Sequence, residues 1–446
     1  MSIAGVNGAE PFVVETRQLL DPVLVRLLEE EWAELEAVLG VQVELRDEVP
    51  EGRCGWVVQL DPALDRVELA WDRRSQRLMS RLPDLTLAGA AVDLLHTLAH
   101  AAGPVVADDA CSTRVEVLNR IEAEVRHVWP SFRLRGIDPD RWAGLRPATD
   151  LPSDLFVDAV QRWVAALGDA HTAVHRLPRP AHHPPYAGAL TSRGLVLAHV
   201  PDDSDAARQG IGPGWVVDVE DPARWLATTG ATPRMHAGIA ARRVLAMVDA
   251  ERTFAAIGPG GTRRTWTEHA RPRPEVVLDE ESATIRLTGF VAGTAQRVRA
   301  ALDALAGRGT VTIDLRGNVG GRLVEATEVR RMFLRAPTLL GAVRFTDGRG
   351  GLAAPVPVRD EPDDVRWPGE VRFLVDATTY SAAEDLVWGL QGLPHVRVAG
   401  ATTGGGSGRP HTRRLTQHLS LTVSTALTFD RTGRCVEANG FTPDSP

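Results

Sequence analysis

The sequence predicts an α/β protein built from several domains, and two observations carry this prediction. The chain has 446 residues, which corresponds to about three domains by the usual relation between chain length and domain size. From about residue 273 onward, short apolar runs typical of strands alternate with helical patterns. Such alternation is typical of a layered sheet with mostly parallel strands. We therefore predict that residues 273–446 form an α/β domain.

The elements of this C-terminal domain can be assigned in chain order. The strand candidates are rich in β-branched residues, and each is short and apolar. They are "ATIRL", "VTIDL", "VRFLVD" and "VRVAG". Between them, apolar residues recur at helical spacing over 294–306, 322–334 and 381–393, which predicts three helices.

Three further units precede this domain. Residues 1–112 combine helical patterns, at 21–40 and 87–103, with the strand-like runs "GWVVQL" and "RVELAW", and we predict an N-terminal α+β domain. Residues 113–180 are mainly helical, with a proline-rich connector, "RLPRPAHHPPYAG", at their end. Residues 186–272 predict a small β-rich module, with strands "GLVLAHV" and "GWVVDVED" around a short helix, "DSDAARQG".

The composition is that of an ordinary globular protein and excludes several partners. Hydrophobic residues make up 43% and charged residues 24% of the chain, and no apolar run is long enough to span a membrane. The net charge of −8, without a basic run, argues against nucleic acid. The first residues lack the features of a signal peptide, and the three cysteines have no C-x-x-C spacing. These features predict a cytoplasmic protein without a membrane partner and leave self-association open.

The absence of lysine restricts the chemistry further. All 50 basic residues are arginine, so mechanisms that need an amine are excluded, including the serine–lysine dyad, Schiff bases, pyridoxal phosphate and the P-loop. We predict no cofactor. A serine nucleophile in this chain would need another base, and histidine is the leading candidate.

One serine stands at the start of a predicted helix, in "VDATTYSAAEDLVWGL" at 375–390. Ser381 and Glu384 have the S-x-x-E spacing of a capping box, in which each side chain satisfies a free amide at the helix start. Local sequence favours this structural role, because capping serines are common. The alternative is a nucleophile at the positive end of a helix.

A glycine turn follows another strand of the same domain. In "TVTIDLRGNVGGRLVEA", Gly317, Gly320 and Gly321 lie between strand and helix, and a tight turn is the simplest explanation. Side by side at the carboxyl edge of the sheet, the two turns would offer glycine amides, a serine hydroxyl and the Ala382 amide. Acyl transfer needs such a nucleophile and two N–H donors for the oxyanion.

The candidate bases are the 13 histidines, most of which we expect to be surface or capping residues. His171, in "LGDAHTAVH" at the end of an amphipathic helix, is the leading candidate. His96 and His100 have the i, i+4 spacing of a zinc-binding helix, but Thr97 replaces the general-base glutamate and no third ligand is evident. We therefore predict no metal site.

Four motifs in order resemble one peptidase family. "ATIRLTGF", "VTIDLRGNVGG", "VRFLVDATTYSAAEDLVWGLQGLPHVRVAGATTGGGSG" and "GRCVEANGFTPD" look like the core of the tail-specific (C-terminal processing) serine peptidases. The resemblance extends from about residue 115 to the C-terminus. It implies a crotonase-like catalytic core (273–446), a helical cap (113–180) and a PDZ-like module (186–272).

The resemblance also implies a catalytic set. The family has a lysine-base branch, whose lysine position holds Gly406 here, and a histidine-base branch that includes the tricorn protease core. "LGDAHT" is similar to the histidine motif of the second branch, and "CVEANGFTPD" to its glutamate motif. The resemblance implies these roles: Ser381 as nucleophile, His171 as base, Glu437 as orienting carboxylate, Gly320 or Gly321 with Ala382 as oxyanion donors, and Gly405 and Gly406 as substrate-binding residues.

Two departures from the family pattern leave alternatives. Tricorn-like sites have a serine before the histidine, where this chain has Ala170, so Glu437 would act through Thr172 or water, contact His171 directly, or lie outside the network. "VVDVEDPARWLATTG" also replaces the usual turn of the PDZ-like module. A serine endopeptidase acting on peptides or on unfolded or C-terminal segments is the main functional prediction. A binding protein on a degenerate peptidase scaffold is the alternative, and an enzyme dedicated to one peptide is a third hypothesis.

Overall fold

We describe a computed structural model of the chain. Its described residues are 12–15, 43–46, 48, 50, 55–60, 68–72, 77–82, 111–180, 182–271, 274–346, 350–352 and 355–446.

The described strands of the N-terminal unit form a five-stranded sheet. The strand order is β2-β1-β3-β5-β4, with β4 antiparallel to β5 and the other pairs parallel. The predicted runs "GWVVQL" and "RVELAW" correspond to β3 and β4. The predicted helices at 21–40 and 87–103, with His96 and His100, lie outside the described residues. The bounds are β1 (Phe12–Glu15), β2 (Val43–Arg46), β3 (Gly55–Leu60), β4 (Glu68–Asp72) and β5 (Arg77–Leu82).

Helices dominate the next segment, as predicted. They are α1 (Arg114–Val128), α2 (Pro139–Ala143) and α3 (Ser153–Ala165). A capping box starts α1, where Thr113 and Glu116 satisfy each other's backbone amides. The apolar faces of α1 and α3 pack into one core with Leu415, Leu419 and Leu421 from the far end of the chain. These helices therefore share their core with the C-terminal domain.

The β-rich module is a five-stranded antiparallel sheet in the order β11-β10-β9-β8-β7. The strand expected over "GWVVDVED" shortens to two residues because Asp221, at φ 47°, turns the chain and caps the next helix. The bounds are β7 (Ala187–Thr191), β8 (Gly194–His199), α4 (Asp205–Arg208), β9 (Val216–Val217), α5 (Pro222–Ala227), α6 (Pro233–Leu245), β10 (Glu251–Ile257) and β11 (Arg263–His269).

The C-terminal domain has the alternating α/β order that the sequence predicts. Its central sheet has the order β12-β13-β14-β17-β18; β12 is antiparallel to β13 and the other pairs are parallel. A second sheet has the order β16-β15-β21. The bounds are β12 (Val276–Asp279), β13 (Thr284–Leu287), α7 (Thr294–Ala304), β14 (Thr310–Asp314), α8 (Leu323–Arg331), β15 (Thr338–Phe345), β16 (Val356–Asp360), β17 (Glu370–Val375), α9 (Ala382–Val387), β18 (Val396–Gly400), β19 (His411–Arg414), β20 (Leu419–Val423) and β21 (Ala426–Asp430).

The predicted helix 381–393 is shorter in the structure. It ends at Val387, and Gly389 follows with φ 76°, a left-handed conformation that glycine adopts without steric cost. A Cβ on Gly389 would lie 2.2 Å from Leu340 Cδ2. The close approach to β15 thus accounts for the early end of the helix.

A three-stranded sheet joins the helical segment to the C-terminal domain. Its order is β19-β20-β6, where β6 (Ala173–Arg176) follows the helices and pairs antiparallel with β20, Val174 opposite Leu421. The residues just before β6 are therefore held against the C-terminal domain. Within the described ranges, no helix has the length and apolar character that crossing a bilayer requires.

Candidate active site

The two turns noted in the sequence lie beside each other. They follow β14 and β17, which are neighbouring parallel strands, so both leave the same edge of the sheet. Asp376 in the serine turn accepts a hydrogen bond of 3.1 Å from the Gly317 amide. The Tyr380 amide donates to the Asn318 carbonyl at 3.0 Å. These cross-links fix one turn against the other.

Ser381 occupies a strained backbone conformation between β17 and α9. Its φ of 56° and ψ of −127° are unfavourable for a residue with a side chain, and such positions cost on the order of 1–3 kcal/mol and concentrate at functional sites. The Glu384 carboxylate holds the turn by accepting from the Ser381 amide at 3.2 Å. A Cβ on Gly320 would lie only 2.8 Å from Ser381 Cβ, so the glycine turn closely supports the serine.

The structure brings His171 to Ser381. His171 Nε2 lies 2.9 Å from Ser381 Oγ, although the two residues are 210 positions apart in the chain. The pairing of β6 with β20 carries the histidine to this place, because β6 begins two residues after it. Both residues are half-buried. The distance is that of a nucleophile and its base.

A buried carboxylate, Asp169, organises the turn that carries His171. Asp169 Oδ1 accepts from the His171 amide at 2.9 Å. Its Oδ2 accepts from Trp129 Nε1 at 2.9 Å, Thr172 Oγ1 at 2.7 Å and Ser424 Oγ at 2.6 Å. Burial opposes its charge, but Arg135, His171 and these hydroxyls hold the pKa of Asp169 below its usual range. The carboxylate is thus a negative charge close to the imidazole.

The environment of His171 favours the neutral imidazole. Burial lowers the pKa of His171 below its usual value; the Asp169 charge opposes this effect and the Arg135 charge reinforces it. A neutral imidazole is the form that can accept a proton from a serine.

We therefore expect the His171 imidazole itself to titrate with a midpoint below the usual histidine value of 6.5. A lowered pKa keeps the imidazole unprotonated, and so active, at lower pH. The measurement is an NMR titration of the His171 ring between about pH 5 and pH 8, with circular dichroism showing that the fold persists. A midpoint at or above the ordinary histidine value would contradict this prediction.

The other imidazole nitrogen faces a tyrosine. His171 Nδ1 lies 3.2 Å from Tyr380 Oη, and the two rings pack with centroids 4.6 Å apart at an interplanar angle of 37°. Tyr380 is only 5% exposed. Burial, followed by the charges of Asp169, Glu437 and Glu384, raises the pKa of Tyr380 well above its usual value, so the phenol stays neutral.

The predicted third member, Glu437, is fully buried and lies away from the imidazole. Its Oε1 accepts from Arg135 Nη2 at 2.5 Å and its Oε2 from the Ser407 amide at 2.9 Å. Arg135 Nη1 donates to the carbonyl of Gly168 at 2.9 Å, three residues before His171. Among the described residues no hydrogen bond joins Glu437 to His171, and Thr172 is not a bridge because its hydroxyl donates to Asp169. Arg135 instead connects the Glu437 carboxylate to the turn before His171.

The charge of Glu437 depends on this arginine. Burial, and next the Asp169 carboxylate, raise the pKa of Glu437 to about 7, while Arg135 and the Ser407 amide oppose the rise. Ala170, where similar sites have a serine, packs instead against the apolar cluster of Met235 and Tyr380.

The predicted oxyanion donors differ in the contacts that their amides make. The Gly320 amide donates to Asn318 Oδ1 at 2.8 Å and is buried, so it is not free for an oxyanion. Gly321 is exposed, and within the described part of the chain neither its amide nor that of Ala382 donates to another protein group. Gly321 and Ala382 are therefore the available pair of donors beside Ser381.

The two glycines predicted to bind substrate lie in the interior. Gly405 and Gly406 are buried, and their amides donate to the two carboxylate oxygens of Glu384 at 2.8 Å and 2.7 Å. A Cβ on Gly406 would lie 1.9 Å from Cε2 of Tyr380. Both glycines thus lie behind the turn that carries Ser381, in contact with Glu384 and Tyr380.

A match to a family model agrees with this arrangement. Residues 281–446 match the model of peptidase family S41, and this stretch includes both turns, Ser381 and Glu437. Residues 281–446 are a peptidase family S41 domain. The family comprises serine peptidases, which are hydrolases acting on peptide bonds. No curated protein sequence matches the chain.

Solved structures are similar over about three quarters of the chain. The photosystem II D1 C-terminal processing protease is 18% identical with a TM-score of 0.51, covering 75% of this chain and 93% of its own. Mature CPAF complexed with lactacystin is 13% identical with a TM-score of 0.54, covering 74% and 93%. At these identities the likeness shows an α/β peptidase fold and nothing finer. Tricorn protease, 16% identical, has a TM-score of 0.38 and is covered over 34% of its length. This likeness is too weak to show which branch of the peptidase family the chain resembles.

Sequence reasoning missed three residues around His171 and Ser381. Asp169 and Tyr380 were inside recognised motifs, beside His171 and Ser381, but had no assigned role. Arg135 was not singled out at all, because its partner Glu437 is 302 positions away. The "LGDAHT" motif could have suggested Asp169, since an aspartate two residues before a candidate base can accept its amide.

Proposed function

We propose that this protein is a serine endopeptidase that cleaves peptide bonds through an acyl-enzyme. The observation that carries the proposal is the 2.9 Å contact between His171 Nε2 and Ser381 Oγ, at a serine with strained backbone geometry. The S41 domain supports the same reaction class. A binding protein on a degenerate scaffold is disfavoured, because nothing in that role requires this contact or free donors beside it.

The proposed reaction follows from the positions of these groups. His171 Nε2 takes the Ser381 proton while Oγ attacks the scissile carbonyl, and the amides of Gly321 and Ala382 stabilise the oxyanion. The imidazolium then returns the proton to the leaving amine. Water attacks the acyl-enzyme by the same route in reverse, and Ser381 is regenerated.

We assign Glu437 an indirect orienting role. Its carboxylate anchors Arg135, and Arg135 holds the Gly168 carbonyl in the turn before His171. Asp169 supplies the nearer negative charge for the imidazolium that forms during the reaction. This division of tasks supports the histidine-base branch of the family, with the arginine connecting the carboxylate to the turn.

The domain roles are part of the proposal. Residues 273–446 are assigned as a crotonase-like core, 113–180 as a cap carrying the base, and 186–272 as a PDZ-like module, while 1–112 is accessory. The substrate is proposed to be a peptide or an unfolded or C-terminal protein segment. A cytoplasmic location is supported by cysteine usage, since Cys111 and Cys435 are buried free thiols.

Labelling with a fluorophosphonate probe tests the function. We expect the wild-type protein to be labelled at Ser381, and Ser381→Ala to lose the label. Ser282→Ala is the matched control, since Ser282 lies in an exposed turn between β12 and β13 and its loss should leave labelling unchanged. A folded wild-type protein that takes no label and cleaves no denatured polypeptide between about pH 6 and pH 9 would refute the proposal.

A further inference from the structure

The base of the proposed site has an unusual partner. In the serine–histidine–aspartate arrangement, a buried carboxylate accepts a hydrogen bond from the Nδ1–H group of the histidine and fixes its tautomer. Here the atom within hydrogen-bonding distance of His171 Nδ1 is a neutral phenol oxygen, Tyr380 Oη at 3.2 Å. Tyr380 directly precedes the nucleophile, so one turn carries both Ser381 and the atom that faces the back of its base.

The nearby carboxylates make other contacts. The side-chain oxygens of Asp169 accept from one amide, one indole and two hydroxyls, and those of Glu437 from Arg135 and Ser407. Among the described residues, neither carboxylate forms a hydrogen bond with Nδ1. The phenol is therefore the group in position to hold the imidazole ring.

The surroundings of Tyr380 fix its ring in place. Its amide is tied to the glycine turn through Asn318, and its ring lies against two glycines. A Cβ on Gly404 would lie 2.7 Å from Tyr380 Cδ2, and a Cβ on Gly406 would lie 2.0 Å from Cζ. Real contacts of this kind do not fall below about 3.0 Å, so any side chain at these positions would displace the ring. A rigidly held ring is what a positioning group needs.

We propose that Tyr380 is the positioning residue of His171: its phenol oxygen accepts a hydrogen bond from the Nδ1–H group, and its ring packs against the imidazole, so that Nε2 faces Ser381 unprotonated. This inference rests on the proposed function and adds a residue to it. It replaces the usual charged partner with a neutral acceptor, while Asp169 acts on the imidazolium at longer range.

The direction of this hydrogen bond decides whether the site is active. If the phenol donated to Nδ1, the imidazole proton would lie on Nε2 and His171 could not accept from Ser381. The titratable groups around the pair are the acids Asp169, Glu437 and Glu384 and the guanidinium of Arg135, and burial raises the pKa of Glu384 to about 8. The productive tautomer is thus a property that can be measured without turnover.

Tyr380→Phe tests the inference because it removes the hydroxyl and keeps the ring. We expect kcat to fall about ten- to a hundredfold with KM within about twofold, and fluorophosphonate labelling to slow by the same factor. In ¹⁵N NMR spectra, the wild-type His171 should carry its proton on Nδ1, and the variant should show proton on Nε2.

The other tyrosine of the chain, Tyr186, provides the control. Tyr186 is buried in the β-rich module, where its hydroxyl donates to Glu268, so Tyr186→Phe should lower stability without changing kcat or the His171 tautomer. Wild-type kcat in Tyr380→Phe, an Nε2 proton in the wild-type protein, or an equal kcat loss in Tyr186→Phe would overturn the inference. A wild-type protein without labelling or cleavage would refute the proposed function instead. The NMR measurement separates the two cases, because it reports the His171 tautomer whether or not the protein is active.

Discussion

Replacing His171 with alanine is expected to lower kcat at least about a thousandfold while the protein stays folded. In the proposed mechanism the imidazole is the base; it lies 2.9 Å from Ser381 Oγ, and without it the hydroxyl must lose its proton to water. Because the chain has no lysine, no amine can replace it. The measurement is single-turnover cleavage of a denatured polypeptide, together with the rate of fluorophosphonate labelling.

The fold should tolerate this change. The backbone of residue 171 still donates to Asp169 in the variant, so the turn keeps its anchor, and His171 is only half-buried. His175→Ala is the matched control: His175 lies nearby in the chain, in β6, and its Nε2 contacts Thr422 Oγ1 at 2.7 Å. This control should affect stability more than kcat. A His171→Ala enzyme with more than about a tenth of the wild-type rate would contradict the base assignment.

Much of the fold could be predicted from local patterns. The alternation of apolar strands and helices after residue 273 predicts the central sheet, because the periodicities of strands and helices are patterns of residues that are neighbours in the chain. Element ends were less predictable. The helix expected to reach residue 393 ends at Val387, since Gly389 must approach Leu340 of β15, and such a tertiary contact leaves no local pattern.

In the candidate site, too, some features follow from local sequence and others only from tertiary contacts. Ser381 and His171 carry recognisable motifs, and the structure brings them together. The contacts of Gly405 and Gly406 with Glu384 and Tyr380 could not be predicted, because a glycine run has the same appearance whether it faces a substrate or accommodates a neighbouring ring. Arg135 and Tyr380 act through partners hundreds of positions away, so their roles follow from packing and burial that only the fold provides.

Replacing Gly406 with alanine is expected to inactivate the enzyme by displacing Tyr380. The new Cβ would lie 1.9 Å from Cε2 and 2.4 Å from Oη of the tyrosine, well inside van der Waals contact, and the buried ring cannot move without repacking. Overpacking of this kind costs about 1–3 kcal/mol or more of stability. Because the same ring holds His171, we also expect kcat to fall about a hundredfold. Thermal unfolding and single-turnover cleavage measure the two effects.

A control variant can separate the steric effect of the new Cβ at residue 406 from any general effect of replacing a glycine with alanine. A Cβ on Gly309 would meet no atom within 4 Å, so Gly309→Ala should change the free energy of unfolding by less than about 1 kcal/mol and leave kcat unchanged. Gly406→Ala should cost less stability in a Tyr380→Ala background than in the wild-type protein, because the ring with which the new Cβ clashes is gone. A smaller loss in that background would locate the damage at the tyrosine ring. Wild-type activity in Gly406→Ala would show that the ring does not have to occupy this position for the histidine to act.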